Sequence, residues 1–283
     1  MRTRGVDHVG VTVSDLEDAI ADLRRVGGEL CYIEGPIIEP FPGWMKAKLG
    51  AREPAPLRVA AVNAFGANLE LFEYEKAEGE PAPKPGTPGS FFLLLLTGDP
   101  TVVAGRLGVT GGPEGFDTTL PSGVHLAVRP GEGNRLCGGV FLSRAEIPAV
   151  EEDFERLFGL EPLRPAAAFG AEGTVFAARE GAELAVLTAE GDSARPANSD
   201  LGGHHVAFHA DDVDASCDLL DALDGYRALG RPETITDGPI VGDRWIYVAS
   251  PTGLQLELIN MPDGDMPYET NALRTRTPIG ERQ

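Results

Sequence analysis

Hydrophobic and polar residues alternate with a period of two near both ends of the chain, and each time the period then lengthens to that of a helix. Asp7-His8-Val9-Gly10-Val11-Thr12-Val13 reads as a strand. Ser14-Asp15 follow as an acidic cap, Leu16, Ile20 and Leu23 stand at helical spacing, and Gly27-Gly28 stop the helix. The same order returns with His204-His205-Val206-Ala207-Phe208-His209-Ala210, then Asp211-Asp212, then Val213, Cys217 and Leu220 up to Gly225. Aligning His8 with His205 also aligns Val9 with Val206 and Asp15 with Asp212, which marks an internal repeat. The closing strands repeat as well: Gly66-Ala67-Asn68-Leu69-Glu70-Leu71-Phe72 parallels Gly253-Leu254-Gln255-Leu256-Glu257-Leu258-Ile259. In each, leucines occupy one face, suited to helix packing. A carboxylate sits on the other, where a core residue is expected.

Two weaker copies lie between. Ser90–Leu96 is predicted as a strand, Thr101–Leu107 as a short helix and Val124–Val128 as a closing strand. Gly138–Ser143 begins the next copy. A helix from about Ile147 to Phe158 carries Pro148 in its first turn and Val150, Phe154, Leu157 and Phe158 as its apolar stripe. Gly173–Ala178 and Glu183–Leu187 close that copy. The chain thus divides into four strand–helix–strands modules at 1–80, 90–130, 136–190 and 201–262, followed by a polar tail at 263–283. Glu78–Gly89 and Glu190–Asp200 are linkers by composition. The middle copies lack the polar positions. Cys137 falls at the place of His8 and Ala185 at that of Glu70, with Phe92 and Ala127 the nearest equivalents of the other two.

A chain of 283 residues with 42% hydrophobic and 24% charged residues buries a substantial core. The net charge of −20 argues against nucleic acid and anionic membranes as partners, since both select a basic face. No apolar run is long enough to span a bilayer, and the first residues lack the apolar stretch of a secretion signal. Three scattered cysteines (Cys31, Cys137, Cys217) make no disulfide framework, so a cytoplasmic protein, monomer or homodimer, is expected.

His8, Glu70, His205 and Glu257 are the candidates for chemistry. Each outer module contributes one histidine on its first strand and one glutamate on its last, so pairing those modules would converge two imidazoles and two carboxylates. Such a set suits one divalent ion (Zn, Fe, Ni, Mn or Co) and leaves positions for water or substrate. One such histidine or glutamate alone is more often a core or surface residue. Duplicated placement favours a site, because two unpaired carboxylates inside a barrel cost several kcal/mol unless neutralised.

With DHVGVTVSDLEDA, GANLELFEY, HHVAFHADDVDAS and SPTGLQLELI in view, the chain resembles the vicinal oxygen chelate superfamily. The resemblance is strong in modules one and four and weak in two and three. It implies an α+β fold of four βαβββ modules forming two open barrels, module one paired with four and two with three. It also implies that His8, Glu70, His205 and Glu257 are the metal ligands, a set similar to that of bacterial glyoxalase I. Methylmalonyl-CoA epimerase is similar but usually has Gln at the position of Glu70. The implied activity is a metal-dependent lyase or isomerase acting on a small carbonyl or natural-product substrate. The metal polarises a carbonyl and stabilises an enolate or enediolate, and Glu70 or Glu257 moves the proton. Two alternatives stand beside it. Extradiol dioxygenases share the Tyr247…Pro251-Thr252-Gly253…Glu257 pattern, but the histidine expected before the tyrosine is replaced at about Ile240, and Glu70 would be surplus. Bleomycin-resistance-like proteins share the fold and bind a small molecule without a catalytic metal.

Trp44 and Met45, in an excursion between strands, are placed to roof the pocket. Arg58, Asn63, Arg244 and Tyr247 lie on strands near the ligands and are expected to orient substrate. His209 shares strand parity with His205, deeper in the barrel. His204 should face away.

Overall fold

The computed structural model describes residues 3–75, 82–179, 181–191 and 195–260. The tail at 263–283, and parts of both stretches read as linkers, lie outside the described residues.

The first quarter of the chain forms β1 (Thr3–Thr12), α1 (Leu16–Arg25), β2 (Glu29–Ile37), α2 (Trp44–Leu49), β3 (Leu57–Ala64) and β4 (Ala67–Tyr74). The last described stretch forms β12 (His204–Ala210), α5 (Val213–Asp221), β13 (Arg227–Ala228), β14 (Glu233–Thr234), β15 (Arg244–Ala249) and β16 (Gln255–Asn260). The duplicated sequence pattern becomes duplicated capping. The Asp15 carboxylate accepts from the Asp18 amide at the start of α1, and Asp212 accepts from Ala215 at the start of α5. These two groups of strands join in one nine-stranded sheet ordered β13-β15-β16-β12-β1-β4-β3-β2, with β14 against β15.

Between them come β5 (Phe91–Thr97), α3 (Pro100–Leu107), β6 (Phe116–Thr119), β7 (His125–Pro130), β8 (Arg135–Ser143), α4 (Ile147–Phe158), β9 (Glu161–Ala168), β10 (Ala171–Ala177) and β11 (Leu184–Ala189). They form a second sheet of seven strands ordered β6-β7-β5-β8-β11-β10-β9. Module one therefore pairs with four, and two with three, in two open sheets. Two details differ from the sequence pattern. Module two has three strands among the described residues rather than four, so the second sheet lacks a counterpart of β13 at that edge. Strand β9 was not legible, because Pro162 and Pro165 speak against a strand; it lies at the sheet edge, where a missing amide donor leaves no ladder bond unmade.

The two sheets share one core on their helix-covered faces. Leu69, Leu71, Leu256 and Leu258 of the closing strands lie in it with Leu16 and Leu23 of α1, Phe154 and Phe158 of α4, and Leu93 and Val140 of the second sheet. The other faces line separate interiors: Phe92, Leu94, Cys137 and Phe141 in the second barrel, and Met45, Phe72, Tyr74 and Tyr247 in the first.

Candidate metal centre

The first barrel's site lies on four neighbouring strands in the order β16, β12, β1, β4, which contribute Glu257, His205, His8 and Glu70. The central strands run antiparallel with His8 opposite Ala207 and His205 opposite Gly10. Glu70 pairs in register with Gly10, and Glu257 with Ala207. Each imidazole thus faces a residue too small to obstruct it. A Cβ on Gly10 would lie 2.0 Å from His205 Cε1, so the ring needs glycine there.

The polar atoms converge. His8 Nε2 lies 3.3 Å from His205 Nε2, 3.1 Å from Glu257 Oε2 and 3.4 Å from Glu70 Oε2. His205 Nε2 lies 3.3 Å from Glu257 Oε2. One donor atom each from His8, Glu70 and His205 falls within 4.8 Å of the others. All four side chains are buried. The remaining ring nitrogens are committed outward: His8 Nδ1 donates to Asp7 Oδ1 at 2.7 Å, and His205 Nδ1 faces Asn198 Oδ1 at 3.4 Å. A ring that donates from Nδ1 presents a bare lone pair at Nε2. The two ring nitrogens and the two carboxylates therefore face one another in a buried space, and among the described residues Glu257 Oε2 has no hydrogen-bonding neighbour there but the two imidazoles. Burial alone would lower the His8 pKa, but Glu70, Asp7 and Glu257 outweigh it and raise it to about 10. Burial pushes Glu257 up, while the two histidines hold it below the usual carboxylate range. Both shifts express one property: the cluster draws in positive charge. The donor set fits a divalent ion, with Asp7 and Asn198 orienting the rings from behind.

No protein-family model matches the chain. The structure is similar to glyoxalase I from Zea mays, 14% identical with a TM-score of 0.64 over 91% of this chain and 92% of that one. It is also similar to a putative dioxygenase from Bacillus subtilis, 16% identical with a TM-score of 0.61 over 95% and 88%. The chain has the vicinal oxygen chelate fold. A curated protein, 2-epi-5-epi-valiolone epimerase from Actinomyces sp, is 64% identical over 85 residues, which are 30% of this chain and 46% of that protein. The chain spans about half the length of this curated relative.

Around the centre of this vicinal oxygen chelate barrel, the other sequence candidates fall into two groups. Tyr247, on the inner face of β15, places its hydroxyl 3.5 Å from His205 Nε2, and burial first, then Glu257 and Glu70, push its pKa well up. Met45 is fully buried in a cluster with Tyr247 and Phe72, and Phe72 in turn packs edge-on to His205 at 5.3 Å. Trp44 packs against this cluster and donates to Glu233 Oε2 at 3.2 Å. Asn63 donates to Asn68 Oδ1 at 3.0 Å, and Asn68 donates to the Asp7 carbonyl, so Asn63 stands two contacts from His8. His209 is buried one layer beyond His205 on the same face of β12.

Arg58 and Arg244 stand elsewhere, a correction to the sequence reading. Strand alternation puts both on outer faces, where Arg58 pairs with Glu17 and Glu73 and Arg244 with Asp214 of α5. His204 points away from the centre onto Phe91, and burial holds its pKa down at about 4.

Sequence reading missed four residues. Asp7 precedes the candidate ligand His8. Tyr32 on β2 donates to Glu70 Oε1 at 3.2 Å. Asn198 lies in a stretch whose composition reads as linker, yet Asn198, Ser199 and Asp200 are buried, and the Asp200 carboxylate pairs with Arg52 at 2.6 Å. Glu34, two residues beyond Tyr32, is half-buried beneath Gly238, and burial, Glu70 and Asp237 push its pKa up to about 7. Only Asp7 carried a signal, as the acidic neighbour of a strand histidine.

Proposed function

We propose that the chain is a metal-dependent epimerase that inverts a carbon next to the carbonyl of a small ketone. The observation that carries this reading is the convergence of His8, Glu70, His205 and Glu257 within 3.1–3.4 Å of contact. The 64% identity over 85 residues to a protein named 2-epi-5-epi-valiolone epimerase, a name that denotes a ketone, supports it. Bound there, a divalent ion would supply a Lewis acid for the carbonyl oxygen.

The protein's own groups account for the proton. Glu70 and Glu257 come from the strands flanking the histidine pair, so a substrate over the histidines has a carboxylate on either side. One takes the proton from the carbon beside the carbonyl, and the bonding electrons delocalise onto the oxygen. The other returns a proton to the opposite face, which inverts the centre. Tyr32 holds Glu70 by its Oε1. His8 and His205 bind, and Asp7 and Asn198 fix the orientation of their rings. The buried roof of Met45, Phe72 and Tyr247 excludes water from the reactive carbon.

The test is proton exchange. The metal-loaded protein with 2-epi-5-epi-valiolone in deuterium oxide should give deuterium at the carbon beside the ketone together with a second epimer by NMR. Glu70→Gln and Glu257→Gln should each stop inversion. Binding of the ketone with no exchange would overturn the reading.

A second reading, a ring-cleaving dioxygenase, has one observation in its favour: the Tyr247 hydroxyl beside His205, on the strand before the Pro251-Thr252-Gly253 turn. Oxygen uptake with a catechol would support it over epimerisation. Glu70, drawn into the cluster, counts against it.

A further inference from the structure

The second barrel holds a cavity that the metal-centred reading leaves unused. Its volume is about 440 Å³, with Leu94, Leu96 and Ala166 along its wall and Arg129, Arg135 and Arg164 at its rim. It corresponds in place to the chamber of the first barrel. Leu94 stands on β5 where Ala207 stands on β12. Arg164 faces Val175, which faces Ala185. In the first sheet Tyr32 faces Ala61, which faces Glu70. Arg164 thus occupies the register place of Tyr32, the residue that holds a metal-site carboxylate. Cys137, in the place of His8, is buried outside the cavity lining, and burial and then Glu183 push its thiol up to about 12.

The guanidinium groups are incompletely matched. Arg129 pairs with Asp117 at 2.6 Å. Arg135 and Arg164 both pair with the single carboxylate of Glu183. Glu132 at the same rim is exposed, and among the described residues no ion pair joins it to any of the three arginines. Two planar forks sharing one carboxylate keep N–H donors that Glu183 does not engage, at a cavity lined also by Leu94, Leu96 and Ala166. That arrangement selects a second oxyanion with bidentate geometry. The volume lies in the range of small-molecule sites.

We infer that this cavity binds a small organic anion, its carboxylate or phosphate bridging Arg135 and Arg164 and its apolar body lying on Leu94, Leu96 and Ala166. The site is separate from the proposed epimerase centre and does not depend on a metal.

The experiment is calorimetric titration of the full chain with benzoate and with phenyl phosphate, one for each headgroup, and with benzamide as the neutral isostere of benzoate. At least one anion should bind and benzamide should not. Arg164→Gln and Arg135→Gln should each weaken binding about tenfold or more, whereas Glu257→Gln should leave it unchanged. Arg135 is the more exposed of the two, so its variant decides the matter if Arg164→Gln does not fold. The inference is overturned if neither anion binds at millimolar concentration, if benzamide binds as well as benzoate, or if folded arginine variants bind as tightly as the parent. It is equally overturned if Glu257→Gln abolishes binding, which would put the anion in the first barrel.

Discussion

At four positions of matching register the first barrel carries His8, Glu70, His205 and Glu257, and the second carries Cys137, Ala185, Phe92 and Ala127. The ladders make the match explicit. Gly10 pairs with His205 and Glu70, and Gly139 pairs with Phe92 and Ala185. The glycine is kept in both for the same steric reason, since a Cβ on Gly139 would lie 2.2 Å from the Phe92 ring. One backbone thus accommodates a buried polar cluster in one barrel and an apolar plug in the other. Phe92 fills the place of His205 and packs on Phe141 at 4.7 Å. The fold does not need the metal centre. The second barrel is what the scaffold becomes when that centre is replaced by core.

The sharpest way to break this comparison is to remove the plug and the ligand separately. Phe92→Ala should lower stability by about 3–5 kcal/mol in denaturant titration while leaving metal uptake intact. His8→Ala should abolish metal uptake, because it removes one of the two imidazoles. Equal effects on metal uptake would show that the barrels are not independent. Next come the paired glycines. Gly10→Ala and Gly139→Ala should each cost about 1–3 kcal/mol through overpacking, but only Gly10→Ala, which displaces His205, should impair metal binding. Asp7→Asn keeps the shape and removes the charge behind His8. Competition with a chelator should show metal affinity falling about 10–100-fold. The smallest effects are expected at Arg58 and Arg244. Their ion pairs lie on outer faces, exposed or partly so, and Arg58→Gln and Arg244→Gln should change stability by no more than about 1 kcal/mol and leave turnover unchanged. A large loss of activity from either would place it in the site after all.

The contrast also explains what was legible in the chain. A repeat of His on a first strand and Glu on a last strand is visible because strand parity fixes which face each residue occupies. It singled out His8, Glu70, His205 and Glu257 and the helix caps, and selected the pairing of outer with outer modules that the resemblance offers. Parity also shows why Arg58 and Arg244 were misplaced. Both lie on the correct strands, but one residue out of phase with Val59 and Trp245, which face the interior. Asn198 could not be found by pattern, because its place behind His205 is set by a loop whose composition resembles a spacer. Tyr32 reaches Glu70 only because β2, a distant edge strand, folds over the barrel interior. The Arg164–Glu183–Arg135 cluster was hidden for a similar reason: β9 carries two prolines, and an edge strand of that composition reads as loop.

The central claim is that the first barrel's four side chains form a centre completed by a divalent ion, and elemental mass spectrometry of the purified protein tests it most directly. The parent chain, loaded in turn with Zn, Ni, Mn, Co and Fe under reducing conditions, should retain roughly one ion, and the His8→Ala, Glu257→Ala double variant none. A parent chain that retains no ion from any of these solutions, or a double variant that retains as much as the parent, would contradict the account.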